Sequence, residues 1–175
     1  LILVGSFLAS LAYSFYFKIE PAVDARAYDY IAQNIIAGNG YREDVGGDIA
    51  QDNAITRVGP LYEFTLVGIY KIFGHHYEAV WIFQALLHAL SAWLIYLAAM
   101  LIFSQNDQKR KIALLAAGIF AFYPDLIEIS AMLMTETLYL FFVCLLFYVF
   151  FYYFFRPDSQ RLALTLGLVS GLAVL

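Results

Sequence analysis

Cysteine is nearly missing from this sequence. Cys144 stands alone, which excludes an internal disulfide and any multi-cysteine metal site. Charge is scarce as well: 14% of the 175 residues, against about 25% in an ordinary soluble domain. The charges lean acidic, 10 Lys+Arg against 14 Asp+Glu, so no basic surface is on offer to nucleic acid. No glycine-rich phosphate loop appears among the 11 glycines. What is abundant is apolar: 63% of the residues, 18% aromatic, with a mean hydropathy of +0.73. A soluble globular enzyme and a disordered tail are both excluded by that balance. The chain reads as a membrane protein.

Five apolar segments are expected to be membrane spans, at about residues 1–17, 80–103, 112–131, 134–155 and 162–175. The first and last are short for the roughly 20 residues a span needs. They predict a fragment cut inside its first and last membrane helices. The connection 104–111 carries Lys109, Arg110 and Lys111 against Asp107, and 156–161 carries Arg156 and Arg161 against Asp158. The long connection 18–79 holds five bases and nine acids. By the positive-inside rule the two short connections are cytoplasmic and the long loop lies outside. Residues 112–123 rise only about 18 Å before Pro124, well under a core of roughly 30 Å. Either the helix continues past Pro124 with a kink, or its outer end opens a wet cavity near Asp125 and Glu128.

The outer loop 18–79 is too long for an idle connection. Residues 25–37 predict a juxtamembrane helix with Ala27, Tyr30, Ile31, Asn34 and Ile35 on one face and Arg26, Asp29 and Gln33 on the other. Gly38 supplies the stop. Residues 41–56 are polar and turn-rich, suited to a flap. Residues 61–73 predict a second helix along the outer surface, begun by Pro60 and ended by Gly74.

Motifs now line up in order. Asp24-x-x-x-Tyr28-x-x-Ile31-Ala32-x-Asn34-x-x-x-Gly38-x-Gly40-Tyr41 follows the first span. Arg57-x-Gly59-Pro60-Leu61-Tyr62 and Lys71-Ile72-Phe73-Gly74 come next. Phe83-Gln84-Ala85-Leu86-Leu87, Tyr123-Pro124 and Thr135-Glu136-Thr137-Leu138 complete the series. The series resembles the N-terminal part of the C-type (GT-C) membrane glycosyltransferases of the protein O-mannosyltransferase and aminoarabinose-transferase-like group. That resemblance implies a sugar taken from a polyprenyl-phosphate donor at the outer membrane face. It also makes Asp24, the carboxylate opening the outer loop, the catalytic or acceptor-orienting group. Three positions depart from the protein-mannosylating pattern: Ala25 follows Asp24 where an Asp-Glu pair is common, Gly59 breaks the Arg-x-Pro-Pro form, and Glu63 stands where Pro is frequent.

Each residue carries a plainer reading too. Asp24 is placed to cap the helix that follows it, and also to accept the acceptor's proton. Arg57 is placed to balance a leaving phosphate with a bidentate fork, or simply to snorkel among headgroups. Lys71 is ranked next for the phosphate, with Lys18 competing. Tyr28, Tyr62 and Glu136 are expected to support the cavity, and Glu136 also suits the dipole of the helix it opens. Gln84 and His88, one turn apart, should bond each other or a neighbouring helix. Adjacent His75 and His76 point apart on a helix and predict no metal pair.

The reading is therefore an all-α polytopic transmembrane bundle with juxtamembrane helices in its first extracytoplasmic loop, forming the N-terminal part of a catalytic domain over 1–175. It implies an integral protein of the bacterial inner membrane with an extracytoplasmic active site. The expected partners are the lipid-linked donor, membrane lipids, and a lipid, protein or glycan acceptor. No metal ligands are assigned, and a divalent metal is left open. The alternatives are a secondary transporter using Asp125, Glu128 and Glu136, and a non-catalytic membrane assembly subunit.

Overall fold

The computed structural model describes residues 1–46, 60–155 and 160–174. Within them the chain is all helix, with no strand among the described residues. Eight helices follow in order: α1 Ile2–Phe17, α2 Asp24–Ile36, α3 Leu61–Phe73, α4 Tyr77–Ile102, α5 Lys109–Ala121, α6 Pro124–Ala131, α7 Glu136–Phe154 and α8 Gln160–Val174.

By length and composition α4 and α7 suffice to cross a membrane, and α1 is a shorter apolar helix. Helices α5 and α6 pass the same test as a pair, bent by 51° where Pro124 interrupts them. Pro124 sits at the first position of α6 and leaves Tyr123 extended, as a residue before proline prefers. The kinked continuation is thus the form adopted, and Asp125 and Glu128 are both exposed.

Helix α4 is the central member, packing against α1, α5, α6 and α7. Half of its most apolar stretch is covered by protein, against 22% of the corresponding stretch of α7. The covered faces are made of small residues. Ser6, Ser10 and Ser14 form the buried stripe of α1, Ala113, Ala117 and Ala121 that of α5, and Ala85, Ala89 and Ala92 lie buried in α4. Large side chains point away from the bundle, among them Leu8, Leu115, Ile119, Phe147 and Phe154. A lipid exterior explains the inversion. Apolar bulk gains nothing from burial between helices when the solvent is itself apolar, whereas small residues let backbones approach. At Gly5 of α1 an added Cβ would come within 3.1 Å of the Phe122 ring.

Outside the bundle, α2 packs against α3 as a platform. The ends of these helices have local causes. Gly38 takes φ +82°, and the Asn39 and Gly38 amides bond back to the Asn34 and Ile35 carbonyls, a Schellman closure. Gly74, at φ +81°, closes α3, whose N-cap is Pro60. Ala25, Tyr28 and Ala32 of α2 meet Tyr62, Leu66 and Ile69 of α3, and Val80, Leu87, Leu133 and Leu138 join the same core. The platform is thereby seated on one end of α4 and on the α6–α7 connection.

The platform corrects two expectations. Asp29, placed by helical periodicity on the polar outer face with Arg26, is 3% exposed, while Tyr30, placed inward, is exposed. The turn of α2 is set by its fit to α3, which buries Tyr28 and Asp29 together. The cap is also shifted: Val23 is the N-cap residue, and Asp24 is the first residue of the helix.

Candidate functional site

The candidate site grows from the contact between Tyr28 of α2 and Tyr62 of α3. Their rings meet edge to face, with centroids 5.7 Å apart. Asp24 precedes Tyr28 by four residues, so the two lie one turn apart on the same side of α2. Tyr62 donates its hydroxyl to Gln84 Oε1 at 3.0 Å. The amide nitrogen of Gln84 in turn donates to the carbonyls of Ser130 (3.2 Å) and Met132 (2.6 Å). A single buried glutamine thus ties platform, central helix and α6–α7 connection together. His88, one turn further along α4, makes a 3.2 Å contact with the Ala121 carbonyl at the end of α5. Both polar residues reach neighbouring helices as their spacing suggested.

Acidic groups surround this contact. Burial, followed by the charges of Glu136 and Glu63, holds the Tyr62 phenol well above its usual range, so it stays a neutral donor. Glu136 opens α7 and receives the Thr135 hydroxyl at 3.3 Å. Glu63 is 0% exposed, and neither of its carboxylate oxygens meets a donor in good hydrogen-bonding geometry. Burial pushes its carboxyl above the ordinary 4.5, a shift tempered by its own backbone and by the nearby Tyr41 hydroxyl. An uncompensated carboxylate in such a place is costly, and neutralisation relieves that cost.

A second polar knot occupies the far end of the platform. Asp29 accepts from Tyr70 (2.7 Å, Oδ1), Tyr77 (3.0 Å, Oδ2) and Gln33 (2.9 Å, Oδ2), and His75 Nε2 lies 2.9 Å from Oδ1. Burial, reinforced by the Asp29 hydrogen bond and charge, raises the Tyr70 phenol far above its ordinary range. Besides Gln33 of α2 itself, the partners come from α3, from its connection to α4, and from the first residue of α4. Asp29 therefore locks the platform onto the central helix. A cluster of Tyr70, His75 and Tyr77 near a loop helix was the available signal, but their separations of 41 to 48 residues from Asp29 hide the pairing.

The expected site residues divide accordingly. Tyr28, Tyr62 and Glu136 come together, with Asp24 a turn away. Lys71 does not join them. It is exposed in the last turn of α3, nine residues or about 13 Å of helical rise beyond Tyr62. Arg57, like the polar segment beyond Gly46 that was expected to form a flap, lies outside the described residues. No group of three His, Cys, Asp or Glu able to hold a metal occurs among the described residues.

Compared with known protein families, residues 57–175 match the family described as dolichyl-phosphate-mannose-protein mannosyltransferase. Asp24, Tyr28 and Asp29 precede the matched segment. Searches of curated proteins and of solved structures found nothing that matches.

Proposed function

The chain belongs to the dolichyl-phosphate-mannose-protein mannosyltransferase family, a family of membrane glycosyltransferases, and from that premise we propose that it transfers a sugar from a polyprenyl-phosphate donor to an acceptor at the extracytoplasmic face of a bacterial inner membrane. The observation that carries this reading is the contact of Tyr28 of α2 with Tyr62 of α3, within reach of the Glu136 charge where α6 ends and α7 begins, with Asp24 one turn before Tyr28. That Tyr28, Tyr62 and Glu136, drawn from separate stretches of sequence, lie near one another supports the reading.

In this mechanism Asp24 accepts the proton of the acceptor hydroxyl, or holds it in line, as the oxygen attacks the anomeric carbon. The bond from that carbon to the phosphate oxygen breaks, and polyprenyl phosphate departs with the electron pair. Arg57 balances the leaving phosphate, with Lys71 as a weaker, outlying contributor. Tyr28, Tyr62 and Glu136 shape the rim. Gln84 holds Tyr62 in place, since loss of either partner would strand a buried polar group. The chemistry is positioning and charge balance, and the lipid carrier supplies the activated bond.

Radiolabelled sugar transfer by the complete protein reconstituted in liposomes tests the proposal. Label should pass from a polyprenyl-phosphate sugar to an extractable acceptor. Accumulation of free sugar inside the vesicles without transfer would replace the reading with the transporter.

A further inference from the structure

A pocket lies where α1 ends and α2 begins, away from the Tyr28–Tyr62 contact. Its volume is about 410 Å³, and Lys18, Glu20 and Arg26 line it together with the aromatic rings of Tyr30, Tyr77 and Trp81. Asp29 borders it too, but that carboxylate is already occupied by Tyr70, Tyr77, Gln33 and His75.

Three observations mark the pocket as built for an occupant. The side chains of Lys18, Glu20 and Arg26 make no hydrogen bond or ion pair among the described residues, although acid and bases share one small space. Trp81 is 4% exposed, yet its indole N–H meets no acceptor. A buried donor without a partner is rare enough to require a cause. Finally, the segment bordering the pocket starts and ends on non-glycine residues at positive φ: Lys18 at 46° and Val23 at 48°. For a β-branched valine this is a true outlier, and such strain persists only where the surroundings hold it.

The unmet groups define the chemistry of the occupant. The Lys18 ammonium and the Arg26 guanidinium are donors that suit phosphate oxygens. Glu20 is an acceptor that would repel a purely anionic phosphate. The faces of Tyr30 and Tyr77 attract a cation. A polyprenyl phosphate carries only negative charge and leaves Glu20 unmatched. A phosphodiester bearing a primary ammonium matches both signs at once. The exposed Phe15, Tyr16 and Phe17 at the end of α1 put the pocket at headgroup depth, where aromatic residues concentrate.

We infer that this pocket binds the zwitterionic headgroup of a phosphatidylethanolamine-type membrane lipid, with its phosphate on Lys18 and Arg26 and its ammonium on Glu20 among the tyrosines. Bound there, the lipid fixes the end of α1 against α2 and so steadies the helix that carries Asp24. The inference requires a membrane boundary at this level but not the transfer reaction.

Native mass spectrometry of the complete, delipidated protein tests it, with phosphatidylethanolamine, phosphatidylglycerol and polyprenyl phosphate offered separately and in competition. The wild type should retain phosphatidylethanolamine several-fold over phosphatidylglycerol. Glu20→Gln should erase that preference while leaving phosphate-dependent retention intact. The double variant Lys18→Gln, Arg26→Gln should lose retention of both lipids by at least about tenfold, since either lost charge-assisted contact alone is worth that much. All three side chains are exposed and unbonded, so these variants should elute and melt as the wild type does. Equal retention of the two lipids by the wild type overturns the inference, as does retention unchanged in the double variant. Displacement of phosphatidylethanolamine by polyprenyl phosphate would overturn it too, giving the pocket to the donor.

Discussion

Two carboxylates on the same platform are equally buried and differently treated. Asp29 has three donors and a histidine around it, while Glu63 has only the Tyr41 hydroxyl and its own backbone nearby, neither in good hydrogen-bonding geometry. The contrast separates two uses of a buried acid. A carboxylate whose lone pairs are met by side chains from distant parts of the chain is a fastener, because breaking it leaves several polar groups stranded. One that is enclosed and unmet lowers stability, and a fold keeps it only where something other than stability is served. Glu63 stands at a position where the related pattern often has Pro, one residue after Tyr62 and in the company of Glu136. The region around Asp29 holds the platform on; the region around Tyr62 is where polar groups are left available.

The largest test of this division is Asp24→Asn in the complete protein. Asp24 is the first residue of α2 rather than its cap, and asparagine keeps the shape of the side chain while giving up a dipole interaction of about 0.3–1 kcal/mol. Transfer should fall by about 10²–10⁴-fold if Asp24 is the base, while yield and melting temperature stay near wild type. Activity within a factor of two would move the base into the Glu63–Glu136 neighbourhood. Asp29 is a poor substitute because its oxygens are already taken.

Next in size is Asp29→Ala. It strands the Tyr70 and Tyr77 hydroxyls at once, and hydrogen bonds to a charged group are worth about 1.5–3 kcal/mol each. Thermal unfolding in detergent should therefore show a loss of about 3 kcal/mol or more, with protease cutting between α3 and α4 enhanced. A variant that melts with the wild type would mean the knot fastens nothing, and the contrast drawn above would collapse.

Glu63→Gln should act in the opposite direction. Since burial raises the Glu63 carboxyl above 4.5, the folded state holds its proton at pH values where the unfolded chain has released it. Stability then falls as pH rises from about 4.5 through the folded value, by the sign of the linkage relation. Glutamine cannot ionise, so the variant should lose that slope and be more stable at pH 8 by about 1–3 kcal/mol, the cost of an unmet buried group. Unfolding curves at pH 5 and pH 8 measure both. Equal slopes for variant and wild type would show that Glu63 is ionised and compensated.

Much of this architecture was legible beforehand, for local reasons. Gly38, Pro60 and Gly74 announce the ends of α2 and α3 because each acts through its own backbone. The membrane character follows from composition, and the break before α6 follows from Pro124. Other features depend on partners that no local pattern reveals. Periodicity placed Asp29 with Arg26 on the wet face of α2, and only the docking of α3 and α4 turns it inward. The Ser6–Ser10–Ser14 stripe is visible at a spacing of four, yet it lies in an apolar run and gains meaning only once α1 packs into the bundle. Glu63 was noted as a departure from a pattern, and its burial shows that the departure is more than a surface substitution.

The smallest expected effect is the most useful boundary on the site. Lys71 was assigned with Arg57 to the donor phosphate because both are cations of the outer loop in matching motifs. The structure puts Lys71 on the exposed last turn of α3, where a cation also favours the helix dipole. About 13 Å of helical rise separates it from Tyr62, well beyond the Debye length of about 8 Å at physiological ionic strength, so its charge is largely screened from the Tyr28–Tyr62 contact. Lys71→Gln should accordingly change KM for the polyprenyl-phosphate sugar by less than about twofold, and that change should vanish in high salt, as for an exposed charge. Arg57→Lys should raise KM more, because a point charge replaces a bidentate fork. If instead Lys71→Gln weakened donor binding tenfold and salt left the loss intact, Lys71 would be touching the phosphate. The donor would then lie along α3 toward Asp29, and the fastening end of the platform would be part of the active site.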